Sequence, residues 1–444
     1  MTENVPDHNG ASSSSLPTSS SPTTMKAIFY ESYGGPDVLQ FSDKFKTPQL
    51  PSSSDHSQVV VRVLYTSINP LDFKIRNGFF RNILVGKTNF PVIPSTDLSG
   101  IVVQASPSSS FKVGDEVFGM NGHGGCLAEY NLVNEHSLAL KPKELSHAEA
   151  STIPMVGLTA HQSLVEIGKV KENSTVLILG ASGNVGSYCL QYAKNVLGAE
   201  VYAGCTTEKG VEMVKELKPE KTFMLKNDLK KDTSRVNSSN TPHTSAASVS
   251  KENEQVDKSD NHENSDKSSN VKEPIDDDDH TPFEYSVPNV DVIIDCIGDK
   301  QLRQRTWKLL KSRRAKYIQI GVANEEMTFW NLLKLGTFIS WRKVISAVGL
   351  GPEFVFFRIN SNNQTENLEK LASYHVSGKI KPNIATYFDE MNLENVKTAY
   401  SLAETRRTRG KILIQVSKWL PQYDQSRKYL MRFNKPAMYK FVNQ

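Results

Sequence analysis

The sequence predicts an α/β protein in which a β-rich unit precedes a doubly wound parallel sheet. Three observations predict it. Short β-type runs broken by Pro, Gly and Ser occupy residues 25–149. From about Ala148 short apolar strands alternate with longer helical segments, the texture of a parallel sheet covered on both faces. Within that second stretch one strand runs through a glycine turn straight into a helix.

Taken in order, residues 1–24 are rich in Ser, Pro and Thr, hold no Lys or Arg and have no apolar core, so they read as a disordered leader. A secretory signal needs a basic start and an apolar stretch, and a mitochondrial presequence is Arg-rich. The expected compartment is therefore cytoplasmic, with the mitochondrion left open. Order begins at Met25: Lys26 to Tyr30 is a β-type run ahead of the Gly34-Gly35-Pro36 turn, and Val59 to Leu64 and Gly100 to Val103 follow as strands. Val176 to Leu179, Val201 to Ala203, Val292 to Asp295 and Lys316 to Ile320 are buried-strand candidates of the second unit, and Val185 to Val196 has helical spacing.

Two tracts break the pattern. Residues 228–282 hold 7 Lys/Arg against 13 Asp/Glu, a net charge of −6, with the run Asp276 to Asp279 and almost no large apolar side chains. Such a segment buries too little surface to offset chain entropy and is expected to be a disordered acidic insert. Residues 418–444 interleave Lys418, Arg427, Lys428, Arg432, Lys435 and Lys440 with Trp419, Tyr423, Tyr429, Phe433, Tyr439 and Phe441. This tail either packs its aromatics on the body or makes a peripheral contact with an anionic membrane or partner; packing is favoured.

Composition excludes several classes. The 444 residues carry a formal charge of +4, too little for a nucleic-acid face, and no apolar run approaches the ~18 residues of a membrane span. Cys126, Cys189, Cys205 and Cys296 are scattered with no CxxC pair, against a disulfide framework or a zinc knuckle.

The sharpest chemical motif is the run Val176 to Gly186. After the strand, Gly180, Ala181, Ser182, Gly183, Asn184, Val185 and Gly186 form the turn and helix start, with Ala181, Gly183 and Gly186 in the G-x-G-x-x-G spacing. Gly183 lets backbone approach a pyrophosphate, Gly186 lets the helix lie close on the sheet, and the helix N-terminus holds negative charge. The next strand, Val201 to Cys205, ends without the Asp or Glu that grips an NAD ribose. Thr206, Thr207 and Lys209 stand there instead, able to bond and neutralise a 2′-phosphate, so NADP(H) is favoured over NAD.

Further motifs add to this. They are Met25-Lys-Ala-Ile-Phe29, Tyr33-Gly-Gly-Pro-Asp-Val-Leu39, Ile68-Asn69-Pro70-Leu71-Asp72, Arg76-Asn77-Gly78, Phe90-Pro-Val-Ile-Pro94 with Asp97 and Ser99-Gly100, Phe111 to Gly119, Ala128-Glu129-Tyr130, Gly157-Leu-Thr-Ala160, Asp291 to Asp295 and Arg409-Gly-Lys-Ile412. With the glycine turn, and in this order over about residues 25–417, they resemble the medium-chain dehydrogenase/reductase superfamily in its quinone oxidoreductase-like branch. The resemblance implies a Rossmann doubly wound parallel sheet at 150–350, plus a GroES-like β-rich catalytic domain built from 25–149 and a return at 351–417. The zinc ligands of the alcohol dehydrogenase branch are missing at Asn69-Pro70 and Thr96-Asp97, so no metal is expected. Asn69 matches the branch's active-site asparagine and is expected to position or polarise the acceptor, Asp72 to support it, and Tyr65 to stand as a further donor.

The implied function is NADPH-dependent, zinc-independent hydride transfer to a quinone or enone, by an enzyme often found as a homodimer. An enoyl-thioester reductase and a nucleotide-binding interaction protein are the alternatives. Three positions depart from the family pattern: Phe79-Phe80 where a tyrosine is common, Ser312-Arg313-Arg314 in place of Gly-Gly, and Asn184 in place of a turn glycine, a residue that tolerates left-handed backbone.

Overall fold

The computed structural model describes residues 22–51, 57–81, 89–225, 283–321 and 329–418. The expected leader up to residue 21, the acidic insert 228–282 and the tail beyond Lys418 lie outside the described residues.

The chain opens with an antiparallel pair, β1 (Thr24–Phe29) and β2 (Gln40–Lys46). Next come β3 (Gln58–Ile68), the short helix α1 (Pro70–Arg76), β4 (Asp97–Ala105), β5 (Glu116–Met120), β6 (Tyr130–Asn134) and β7 (Leu138–Leu140). Helices α2 (His147–Ala150) and α3 (Pro154–His161) lead into the second unit. There β8 (Thr175–Leu179), α4 (Asn184–Asn195), β9 (Glu200–Cys205), α5 (Glu208–Glu216) and β10 (Lys221–Met224) precede the insert. After it come β11 (Val292–Asp295), α6 (Lys300–Thr306), β12 (Lys316–Gln319), α7 (Phe329–Ala347) and β13 (Glu353–Phe356). The chain then runs through α8 (Thr365–Val376), β14 (Ile384–Phe388), α9 (Leu393–Glu404) and β15 (Lys411–Gln415).

Strands β10-β9-β8-β11-β12-β13 form a six-stranded, wholly parallel sheet. Its central strands are almost wholly apolar because helices cover both faces: every residue of β8 and β11 is buried, with Thr175 and Asp295 at their ends the polar exceptions. The order reverses between β8, which runs on to β9, and β11, which lies on its other side. In such sheets the crevice for a ligand opens beyond the strand ends at that switch point.

The second sheet orders as β14-β15-β3-β4-β5-β7, with β6 also on β3. Strand β15 pairs antiparallel with β3, setting Ile412 opposite Ile68 and Gln415 opposite Tyr65, so residues 411–415 close the first unit. The return begins later than expected. Glu353 to Phe356 pair with Lys316 to Gln319 inside the parallel sheet, because alternate side chains there, led by Phe354, complete the apolar layer over Tyr317 and Trp307. The boundary at 351 is therefore corrected: residues 353–356 belong to the dinucleotide-type sheet, and the first returning strand is β14.

Candidate functional site

The turn from β8 into α4 is shaped by its glycines. Gly180 has φ +79°, the left-handed region that favours glycine. A Cβ on Gly186 would sit 2.2 Å from the carbonyl oxygen of Gly180, so only glycine lets α4 lie this close on the turn. Gly183 differs: a Cβ there meets the nearest protein atom at 3.4 Å, an ordinary contact. No described residue crowds position 183, which leaves room for an external group to approach the backbone closely. Asn184 is the first residue of α4 and has no positive φ, so the left-handed position of this turn is Gly180.

Two observations bear on whether a dinucleotide fits here. Gly183 caps α4 with no side-chain hydrogen bond, leaving the first N–H groups of a 12-residue helix open to an anion. Beside them Asn184 Oδ1 is buried with no hydrogen-bond partner. Asn184 also lines a narrow crevice whose walls include Thr152, Ser187, His375 and Lys411. The residues present fit a dinucleotide's pyrophosphate.

At the end of β9, Thr207 caps α5, its Oγ1 accepting from the Gly210 N–H at 3.2 Å. The same oxygen accepts from Arg409 Nη2 at 3.2 Å. Thr206 and Lys209 are exposed alongside, and Ser182 reaches across to bond the buried Cys205. A guanidinium from the far end of the chain thus stands where an NAD-binding strand carries an acid.

The catalytic candidates part company. Asn69 caps α1 and forms a capping box with Asp72, whose Oδ2 accepts from the Asn69 backbone N–H at 2.8 Å. Asp72 Oδ1 accepts from Thr96 Oγ1 at 3.2 Å. Burial lifts the Asp72 carboxyl to about 7 from the ordinary 3.8, with the neighbouring charge of Asp97 adding to it against the Asn69 N–H.

The Asn69 side chain is 1% exposed at the residue level and fully engaged: Nδ2 donates to Asp97 Oδ2 at 2.9 Å and to the Ser67 carbonyl at 3.3 Å, while Oδ1 accepts from Lys411 Nζ at 2.6 Å. Lys411 Nζ also donates to Asp97 Oδ2 at 2.9 Å. Asp97 in turn accepts from Ser67 Oγ at 2.8 Å and from the Met155 N–H at 2.9 Å. Tyr65 is elsewhere. Half-buried on β3, it meets Tyr387 on β14, hydroxyl to hydroxyl at 3.4 Å.

Asn69 and Asp72 are therefore brought together, around a pair, Asp97 and Lys411, that the sequence placed only within motifs and gave no role. Lys411 is the link to the crevice, since it touches Asn69 and lines the wall near Asn184. The signal that points to it is a lysine that opens a strand otherwise buried and apolar, Lys411-Ile-Leu-Ile414. Among the described residues no group of three or more His, Cys, Asp or Glu is placed to hold a metal ion, and no helix is long and apolar enough to cross a membrane.

Comparison with known proteins follows this architecture. Residues 55–143 match the family described as alcohol dehydrogenase GroES-like domain, and residues 270–414 the one described as zinc-binding dehydrogenase. A 2-methylene-furan-3-one reductase of Solanum lycopersicum is 36% identical over 205 residues, covering 44% of this chain and 51% of that protein. An NADPH-dependent alkenal/one oxidoreductase of Arabidopsis thaliana, named chloroplastic, is 35% identical over 205 residues with the same coverage. The chain spans about half the length of the curated relatives it matches, some of which are named chloroplastic and others mitochondrial. The quinone oxidoreductase structure from Coxiella burnetii superposes with a TM-score of 0.61 at 23% identity, over 88% of this chain and 99% of that one, which shows the fold. A GroES-like sheet closed by β14 and β15, a parallel sheet with a glycine turn at its switch point, and these sequence matches point the same way: the chain is similar to the medium-chain dehydrogenase/reductase superfamily, in its quinone oxidoreductase-like branch.

Proposed function

We propose that this protein is an NADPH-dependent oxidoreductase that transfers hydride to a quinone or an enone. The observation that carries the reading is the Arg409–Thr207 contact at the end of β9, which sets a cation and a hydroxyl where a ribose 2′-phosphate arrives. Relatives named as NADPH-dependent alkenal/one oxidoreductase and 2-methylene-furan-3-one reductase support the acceptor class.

Bound NADPH supplies the hydride. The chain's own work is to hold and orient: the open N–H groups of α4, reached past Gly180, Ala181, Ser182 and Gly183, take the pyrophosphate, and Thr206, Thr207, Lys209 and Arg409 take the 2′-phosphate. Hydride addition to a conjugated acceptor needs positioning more than a Lewis acid, because charge delocalises onto the conjugated oxygen. Both N–H groups of Asn69 are already spent on Ser67 and Asp97. We therefore assign Asn69 and Asp72 as positioning residues that hold Lys411 at the crevice wall, and leave Tyr65 outside the site. Domain limits follow: a catalytic domain from 25–149 with 384–417, around a dinucleotide-binding domain that includes residues 353–356.

The test is NADPH consumption at 340 nm with a panel of benzoquinones, naphthoquinones and enones. Acceptor-dependent oxidation, faster with NADPH than NADH, is expected. Nucleotide binding without oxidation by any acceptor overturns the activity. The homodimer is expected to show in light scattering, and a cytoplasmic against an organellar site in imaging of the tagged chain.

A further inference from the structure

We infer that α7 and the turn before β12 form a docking surface for an anionic lipid bilayer, on the face of the dinucleotide-type domain.

Helix α7 packs on β13 and on the segment around α6. Phe338 meets Phe354 of β13 edge-on with ring centroids 5.0 Å apart, and Arg342 stacks over Trp307 at 3.9 Å while donating to the Pro352 carbonyl at 3.2 Å. These contacts seat one side of the helix on the sheet. Away from these contacts Trp341 and Val344 are 56% and 60% exposed, and Val348 and Leu350, just beyond the helix, are 60% and 65% exposed. Exposed large apolar side chains grouped this closely mark an interaction surface.

Charge selects the occupant. From residue 327 to 352 the chain has no Asp or Glu, and it carries Lys334, Arg342 and Lys343. Lys334 and Lys343 are exposed and form no ion pair with any described residue. The first acid beyond, Glu353, is held by Lys316 at 3.4 Å. The Glu353 N–H bonds the Ala315 carbonyl, which brings the exposed Arg313 and Arg314 to the same end of the sheet as Leu350. Those two arginines stand where the family pattern has glycines.

An apolar patch with tryptophan, with the exposed cations Arg313, Arg314, Lys334 and Lys343 around it, suits the headgroup and acyl boundary of an anionic membrane. It suits a second copy less. A like-charged surface repels itself, and four side chains present only a few hundred Å² against the ~800 Å² per partner of a stable interface. The helix lies on the bilayer rather than across it, as no described helix is apolar enough to span.

The experiment is sedimentation of the full chain with phosphatidylcholine vesicles, with and without 30% phosphatidylglycerol. The variants are Trp341→Ser with Val348→Ser, and separately Arg313→Gln, Arg314→Gln and Lys343→Gln together, each checked for folding by circular dichroism melting. Binding is expected only to anionic vesicles and is released by high salt. Each lysine or arginine near the surface contributes about fivefold, so both sets should weaken binding at least tenfold. The surface sites keep the charge variants folded even where the apolar pair does not. Binding to neither vesicle, or equally to both, overturns the proposal. So does wild-type binding by the α7 variants combined with its loss in Arg427→Glu, Lys428→Glu, which gives the contact to the tail. A dimer that Trp341→Ser, Val348→Ser converts to monomer gives the face to a second copy and likewise overturns it.

Discussion

Replacing Lys411 by methionine removes one charge from a pair whose side chains are 3% and 0% exposed, Lys411 and Asp97. Methionine keeps the length and apolar stem, so packing is nearly conserved and the charge is what changes. Asp97 then stays buried with three remaining donors: the Met155 N–H, Ser67 Oγ and Asn69 Nδ2. Asn69 Oδ1 loses the Lys411 ammonium as a donor. Breaking a buried pair from one side costs about 3–5 kcal/mol, and the three surviving bonds to Asp97 set the expectation at ~3 kcal/mol. Asp97→Asn alone should cost a similar amount, since it strands the lysine. The double variant Asp97→Asn, Lys411→Met leaves no unpaired charge and should recover ~1–3 kcal/mol relative to the sum of the singles. Urea unfolding of the four proteins closes the cycle. A loss below ~1 kcal/mol for Lys411→Met, or strict additivity, refutes the view that this pair organises the site.

Gly186→Ala places a Cβ at 2.2 Å from the Gly180 carbonyl oxygen and should cost ~1–3 kcal/mol or more and abolish NADPH binding, seen by fluorescence titration; wild-type affinity refutes the packing account. Arg409→Gln should weaken NADPH at least tenfold while leaving NADH within about twofold, because only the 2′-phosphate meets the guanidinium; equal losses return Arg409 to a surface role. Asp72 titrates at about 7 when folded and near 3.8 when unfolded, so its contribution to stability is full below pH ~4 and is lost as pH rises through 7. Asp72→Asn should remove that dependence, and the stability difference between wild type and variant should shift by up to roughly 4 kcal/mol between pH 4 and pH 8 in denaturant midpoints; a flat difference refutes it. Asn69→Ala should lower turnover ~10-fold or more and also destabilise, since it frees Lys411 and one lone pair of Asp97; full turnover per folded site removes Asn69 from the mechanism.

Much of the fold was legible because its signals are local. Val176 to Leu179 is apolar without interruption, as a strand covered on both faces must be, and the glycine turn that follows has steric demands readable from residue type alone. The start of the return was not legible. Glu353-Phe-Val-Phe356 is a short β-type run with the same texture as any edge strand, and only its pairing partner tells which sheet takes it. That partner, Lys316 to Gln319, lies more than thirty residues away, beyond the reach of periodicity. The turn at Ser312 shows a milder version. Glycines are absent, yet Ser312 Oγ accepts from the Arg314 N–H and its carbonyl from the Ala315 N–H, so a serine side chain does locally what a glycine does by conformational freedom.

The candidate site divides along the same line. Its proposed nucleotide half lies in two short stretches of one strand–helix–strand unit, 180–186 and 206–209, which read as motifs; Arg409 beside it and Lys411 beside Asn69 come from about two hundred residues further on. Strand β15 carries them there by pairing with β3, so one antiparallel register sets Ile412 beside Ile68 and brings Lys411 to Asn69. That register also explains why Asn69 cannot act alone. An asparagine at the head of α1 appears free in sequence, with two donors and an acceptor to offer. Once β15 arrives its acceptor is taken by Lys411 and its donors by Ser67 and Asp97. Asp97 is itself tied to the Met155 N–H at the start of α3, which packs on α4 behind the glycine turn. The buried polar cluster therefore joins the acceptor half of the site to the nucleotide half through hydrogen bonds rather than through apolar packing. A change at any one member should be felt in both halves, and that is why stability and turnover must be measured together at Asn69, Asp97 and Lys411.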